Sequence, residues 1–188
     1  MDRWEPDAAG RFRAAAIELF GEIGYEQTTV ATIAERAGLT ARTFFRHFTD
    51  KREVLFDGSK RLQQVMLDAL AGAPAHATVI DTVAAALAKA GEFFDDERRP
   101  FARLRNSVIA ANTELDEREL IKMTTLTAAL AQGLGARGVG ETDARLAAEA
   151  GIAVLRVSFA QRVSESERRG NGEILNESLS RLRALMAS

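Results

Sequence analysis

Residues 29–51, TVATIAERAGLTARTFFRHFTDK, constrain the fold more than any other stretch of this chain, because they place two short helices and a glycine turn side by side. Val30, Ile33, Ala34 and Ala37 recur at i, i+3, i+4 and i+7, the single buried stripe of an amphipathic helix. Gly38 stops that helix, since glycine takes the left-handed conformation a tight turn demands. Thr40 can cap a second helix by accepting from the free amides of its first turn, which leaves Arg42, Thr43 and Arg46 facing outward. This is the spacing of a helix-turn-helix, whose second helix lies in the major groove of DNA.

The rest of the chain reads as helix, without the sustained alternation of a half-buried strand, so the fold class is predicted to be all-α with about nine helices. The pattern predicts a first helix over residues 7–23, with Phe12, Ala15, Ala16, Leu19, Phe20 and Ile23 on one stripe and Gly24 at its end. A fourth is predicted from Asp50, which forms a capping-box-like Asp-x-x-Glu with Glu53, through Leu55, Leu62 and Met66 towards Leu70. Residues 71–77, AGAPAHA, form a break. Helices are then predicted over residues 79–91, then to about residue 113 after punctuation by Asp95, Asp96 and Pro100, and over 116–137 with Asp116 as the cap. Two more are predicted over 143–167 and 172–187. The first of these is apolar around most of its circumference, from Leu146 to Phe159, and must be buried on more than one side. The last carries the stripe Ile174, Leu175, Leu179, Leu182, Leu185 and Met186. Together the two suggest a hairpin packing on its own domain and on a second copy, with Val154, Val157, Leu175, Leu179 and Leu182 as candidate interface residues, or else one monomeric core.

Composition narrows the function. The chain of 188 residues is long enough for a real core, and its net charge of −2 argues against nonspecific coating of nucleic acid. Between Arg36 and Arg61, however, seven basic residues stand against Asp50, Glu53 and Asp57, so a basic patch is local. The absence of cysteine excludes thiol catalysis and cysteine-containing zinc sites. With two histidines, His47 and His76, no phosphate-cradling glycine loop and no metal-spaced cluster, an enzyme is not expected, nor is a cofactor or metal. The opening MDRWEPDAAGRFR has no apolar targeting core and no later run is long enough to span a bilayer, so a cytoplasmic protein without membrane contact is expected.

AAIELFGEIGYEQTTV, then IAERAGLTARTFFRHF, then Lys51 and VLF stand at fixed offsets over the first sixty or so residues, and there the chain resembles the tetracycline-repressor (TetR) family of bacterial transcriptional regulators. The resemblance implies a homodimer with a three-helix DNA-binding domain over residues 1–50 and a helical regulatory domain, for ligand binding and dimerisation, over residues 51–188. It further implies double-stranded operator DNA of palindromic sequence as one partner, a small-molecule effector as another, and repression as the default output. Carried over by position, Thr29 and Thr40 cap helices near the DNA backbone, Arg42 and Thr43 reach base edges with Arg46 beside them, and His47 and Lys51 meet phosphates. Phe45 stands where the family usually has tyrosine, which removes a backbone hydrogen bond and leaves apolar contact with a thymine methyl. Arg42 carries the greatest weight, because a guanidinium on a recognition helix can grip guanine O6 and N7 as a fork. Phe44 and Phe48 are read as core, and Arg52, Lys60 and Arg61 as a solvated helix face.

In the middle of the chain Phe93, Phe94, Phe101, Leu104, Val108, Met123 and Leu126, with Phe159 later, would line either a ligand pocket or an ordinary core. Arg103 and Arg105 beside them would face an anionic ligand or solvent. The segment RLRNSVIAANTELDERELIKMTTLTAAL resembles the regulatory domain of an actinobacterial subset of these repressors, which implies a largely hydrophobic, acyl-CoA-like effector. A rival reading is a helical ligand-binding or interaction module in which the helix-turn-helix is only scaffold.

Overall fold

The computed structural model describes residues 7–94 and 96–187 of the chain, so the first six residues, Asp95 and Ser188 lie outside the described part. Among the described residues every regular element is helical. They are α1 (Ala8–Glu22), α2 (Val30–Arg36), α3 (Ala41–His47), the single turn α4 (Glu53–Phe56), α5 (Ser59–Ala71), α6 (Val79–Phe93), a 3₁₀ turn (Asp96–Arg98), α7 (Arg99–Ala110), α8 (Thr113–Ala136), α9 (Glu141–Arg162) and α10 (Asn171–Ala187). No helix among them is long and apolar enough to cross a membrane.

The fourth helix predicted to run unbroken to Leu70 is two pieces, α4 and α5. Asp57 and Gly58 between them keep right-handed helical dihedrals, and the interruption falls at glycine, the residue with the least helix propensity short of proline. Asp116 is not a cap: α8 starts three residues earlier, and Asp116 joins Glu114 in a first turn whose free amides favour acidic side chains. Pro100 sits in the first turn of α7, where its missing amide leaves no bond unmade. α9 ends at Arg162, short of the residue 167 expected from the pattern.

The chain divides into two units. The first comprises Met1–Asp57 and Pro100–Glu119, and its core joins Phe12, Ile17, Phe20, Ile33, Phe44, Phe48 and Phe56 to Val108, Ile109 and Leu115. The inclusion of Pro100–Glu119 has a side-chain cause. Arg52 pairs with Glu114, Arg118 pairs with Glu53, and Arg105 donates to the Leu55 carbonyl at 2.6 Å and to Glu119 at 2.9 Å. The Arg105 and Arg118 guanidiniums also lie 5.4 and 5.6 Å from the centre of the Phe56 ring.

The second unit comprises Gly58–Arg99 and Leu120–Ser188. In it α6 is the central helix, packed by α5, α9 and α10. α6 and α9 approach closely at Gly151, where an added Cβ would stand 2.7 Å from Val83 Cγ1. Arg162, 1% exposed, places Nε 3.8 Å from Asp96 and its guanidinium over the Phe94 ring. α9 is buried along Ala144, Ala148, Ile152 and Leu155, while Leu146 and Val157 on its other side are exposed.

Candidate nucleic-acid interface

The outward face of α3 is set by what its inward face buries. Phe44 is fully buried, meeting the Phe12 ring of α1 edge-on at 5.2 Å and the Phe48 ring at 5.2 Å. Phe44 and Phe48 are therefore core, and Arg42, Phe45 and Arg46 are left exposed. The turn before α3 is equally determined. Gly38, at φ 64°, donates to Glu35 and Leu39 donates to Ala34, both at 2.9 Å, the paired bonds of a Schellman ending that require a left-handed residue. Arg11 of α1 clamps this turn by donating to the carbonyls of Ala37 and Gly38. Nothing in the local pattern marks Arg11, because its partners lie 26 and 27 residues away.

Both threonine caps form. Thr29 accepts from the Thr32 amide at 3.1 Å while Thr32 accepts from the Thr29 amide at 3.0 Å, a reciprocal box at the start of α2. Thr40 accepts from the Thr43 amide at 3.1 Å, and the two hydroxyls lie 2.9 Å apart, so the Thr43 hydroxyl is engaged with the cap. Asp50, two residues before the Arg52 cap position of α4, accepts from the amides of Arg52 and Glu53, whereas the Glu53 carboxylate, instead of completing the expected box, is held by Arg118.

The charges of this unit fall into two classes. Arg13, Arg36, Arg52, Arg105 and Arg118 each pair with a carboxylate. Arg36 grips Glu22 with a fork of 2.7 and 3.0 Å, and that hydrogen bonding, aided by charge, holds the Glu22 carboxyl below its usual range. Arg52, read from the pattern as a solvated side chain, is tied to Asp50 and Glu114, and Arg105 donates to the Leu55 carbonyl and to Glu119. Arg42 and Arg46, by contrast, have no hydrogen-bond or ion-pair partner among the described residues. His47, also exposed, rests its ring 6.3 Å from Phe12.

Lys51 is placed otherwise than its carried-over phosphate role implies. Its Nζ donates to the carbonyls of Tyr25 at 2.8 Å, Thr28 at 3.0 Å and Glu26 at 3.4 Å, and sits 4.3 Å from the centre of the Tyr25 ring. An ammonium has three donors, and three carbonyls take them. Lys51 thus holds the loop that delivers Thr29 to α2. Burial, reinforced by the charge of Glu114, pushes the Tyr25 phenol up to about 12.

The residues singled out for a ligand pocket divide between the units. Phe101, Leu104 and Val108 pack on the core of the first. Phe93, Phe94, Met123 and Leu126 pack with the core of the second, where the Phe94 ring lies 5.5 Å from Phe93 and 5.7 Å from Phe159. Of the candidate dimer residues, Val154, Leu175 and Leu179 are consumed by the core of their own unit and Leu182 is half-buried against it. Val157 is exposed, together with Leu146, Leu185 and Met186, and only burial tells these apart from their neighbours in the same apolar sequence.

Residues 12–57 match the family model for bacterial regulatory proteins of the tetR family. Over 60 residues the chain is 47% identical to the HTH-type transcriptional regulator TcmR of Streptomyces glaucescens, an alignment covering 32% of this chain and about a quarter (26%) of that protein. Among solved structures, one of a Syntrophomonas wolfei protein described as a TetR-family transcriptional regulator matches with a TM-score of 0.68 at 15% identity, covering 97% of this chain and 96% of that one. SmeT, the repressor of the Stenotrophomonas maltophilia multidrug efflux pump SmeDEF, matches with a TM-score of 0.61 at 21% identity, covering 94% of this chain and 89% of that one. At such identities the structural likeness is one of fold. The N-terminal segment, residues 12–57, is therefore of the kind found in bacterial regulatory proteins of the tetR family, and the described residues share the all-helical fold of the matched solved structures.

Proposed function

We propose that this protein is a ligand-responsive transcriptional repressor of the bacterial cytoplasm that binds a palindromic operator as a homodimer and is released by a small, largely hydrophobic effector. Residues 1–50 read the DNA, and residues 51–188 bind the effector and pair the subunits. The observation that carries the reading is the state of the arginines: Arg11, Arg13, Arg36, Arg52, Arg105 and Arg118 are engaged with carboxylates or carbonyls, whereas Arg42 and Arg46 on the outer face of α3 hold none among the described residues. A cation without a counter-charge, on a short helix braced from behind by aromatic rings, is suited to phosphate and to the acceptor edge of guanine.

The dimer is assigned to the exposed apolar side chains Leu146 and Val157 of α9 and Leu185 and Met186 of α10, in place of the core residues Val154, Leu175 and Leu179. A monomer leaves these four in water, and a self-complementary pairing covers them. The effector is assigned to the second unit, beside Phe93, Phe94, Met123, Leu126 and Phe159, whose apolar side chains suit the acyl chain of an acyl-CoA-like compound. Two recognition helices read successive major grooves only at a separation of about 34 to 36 Å or a compatible multiple. An effector that binds better to a dimer with another separation weakens DNA binding, and DNA weakens effector binding by the same factor.

The test is selection of genomic fragments by the purified full-length protein, with the best fragment titrated against wild type and Arg42→Ala. An enriched palindrome, and a loss on mutation of about 1 to 3 kcal/mol in each half-site, is the expected result. A protein that enriches no sequence, or an Arg42→Ala variant that binds as well as wild type, would make the helix-turn-helix a scaffold and overturn the reading.

A further inference from the structure

The last turn of α9 buries two polar side chains on one face. Arg162 is 1% exposed, and Asp96 stands 3.8 Å from its Nε, near enough for charge attraction and too far for a hydrogen bond between the two. Asp96 is itself half-exposed and its carboxylate is shared, accepting from Arg99 at 2.9 Å and from the Asn171 amide at 3.4 Å. One turn before Arg162, Ser158 is also 1% exposed, and its hydroxyl has no hydrogen-bond partner among the described residues. A buried hydroxyl without a partner is unfavourable where alanine would not be, so its presence asks for a partner that arrives later. Beside the guanidinium stands an aromatic pair: the centre of the Phe94 ring is 5.9 Å from it and 5.7 Å from that of Phe159, and both rings are half-buried.

These groups define the chemistry of what they can hold. A guanidinium is a planar fork that matches a carboxylate, a hydroxyl one turn away can donate to the same group, and aromatic rings beside them suit a hydrocarbon chain or ring. We propose that Arg162 and Ser158 bind the carboxylate of the effector, an apolar monocarboxylic acid whose hydrocarbon part lies against Phe94 and Phe159. The carboxylate of the acid takes the place of Asp96 at Arg162. Asp96 gives way because it is half in water and keeps Arg99, whereas the incoming carboxylate forms charge-assisted hydrogen bonds where solvent does not weaken them. This inference rests on the reading that the second unit takes an apolar effector, and it narrows that effector from an acyl-CoA-like compound to a free acid.

The experiment titrates the full chain calorimetrically with straight-chain acids from butanoate to decanoate and with benzoate, phenylacetate and phenylpropanoate, each beside its primary amide. The coenzyme A thioester of the acid that binds best is titrated as well. That acid is expected to bind about tenfold or more tightly than its amide, the factor of one hydrogen bond to a charged group, and more tightly than its thioester. Ser158→Ala removes no bond, so it should unfold no lower than wild type and yet bind the acid about tenfold more weakly. Asp96→Asn withdraws the competing carboxylate and should bind the acid up to about fivefold more tightly, the factor of a half-exposed ion pair; a purely structural Asp96 would give a loss instead. Arg162→Gln should abolish the preference for acid over amide, and if it does not fold, the other two variants decide. No binding throughout the series, amides or thioesters that bind as tightly as the acids, or an affinity unmoved by Ser158→Ala would overturn this inference and leave the operator-binding reading standing. An acid that binds in the expected pattern and leaves the affinity for the selected operator unchanged would overturn its role as effector. Failure to enrich any operator would overturn the repressor reading alone, since the calorimetry needs no DNA.

Discussion

Replacing Lys51 by Met separates two roles that an inspection of its neighbours alone would confuse. In the structure the ammonium is occupied by the carbonyls of Tyr25, Thr28 and Glu26, at 2.8, 3.0 and 3.4 Å, and lies against the face of the Tyr25 ring at 4.3 Å. Hydrogen bonds from a charged donor contribute about 1.5 to 3 kcal/mol when buried, but Lys51 is half-exposed and the longest of the three is weak. Discounted for solvent screening, the set amounts to about 1 to 2 kcal/mol. In a chain of 188 residues this corresponds to a fall in Tm of about 2 to 8 °C. The decisive assay is the salt dependence of operator affinity. A lysine that neutralised one phosphate in each subunit would, on removal, flatten the slope of log K against log salt by about 1.8, at about 0.9 per phosphate. A lysine spent on its own backbone is expected to leave that slope unchanged while Tm falls, with affinity lowered equally at all salt concentrations because Thr29 is less well placed. A slope reduced by about 1.8 with an unaltered Tm would refute the positioning role and restore Lys51 as a phosphate ligand.

Two further outcomes are expected. Gly151→Ala places a Cβ 2.7 Å from Val83 Cγ1 in the packed α6–α9 interface, so it should destabilise by about 1 to 3 kcal/mol in urea unfolding, and an unchanged midpoint would show that the helices separate freely there. At Asp50, burial raises the carboxyl, but the hydrogen bonds and charge of Arg52, with the charge of Arg118, outweigh it and hold the group below its usual range. A carboxyl depressed on folding contributes stability that is present above its unfolded value of about 3.9 and lost as pH falls through the lower folded value. Asp50→Asn should therefore be less stable than wild type at neutral pH and lose less stability on acidification below about pH 4, measured as urea midpoint against pH. Parallel acid limbs in the two proteins would count against this account.

The helix-turn-helix was legible in the sequence because each device in it acts over three or four residues. Thr29 reaches Thr32, Thr40 reaches Thr43, and Gly38 closes a turn whose partners are Glu35 and Ala34. The inward phenylalanines of α3 follow from the same periodicity, since Phe44 and Phe48 stand one turn apart and Phe45 cannot share their face. The second unit was legible as helices but not as surfaces. Apolar residues surround much of α9, and whether Val154 or Val157 meets water depends on where α6 and α10 pack. Periodicity gives the direction of a side chain around its own axis and says nothing of which neighbours cover it.

Composition and local pattern, then, determined the fold class, the place of the recognition helix and the identity of its outward residues, because caps, turns and amphipathic stripes are short-range. The tertiary structure decided which charges are free to act. Arg11 holds the turn at Ala37, Lys51 holds the loop at Tyr25, and Arg105 and Arg118 with Glu114 hold α4, all across long stretches of chain. An arginine in sequence is only a charge on a tether of unknown reach. Packing brings a carboxylate or carbonyl to some of these charges and none to Arg42 and Arg46 among the described residues, and in the proposed function that difference separates the groups that brace α3 from those that would meet DNA.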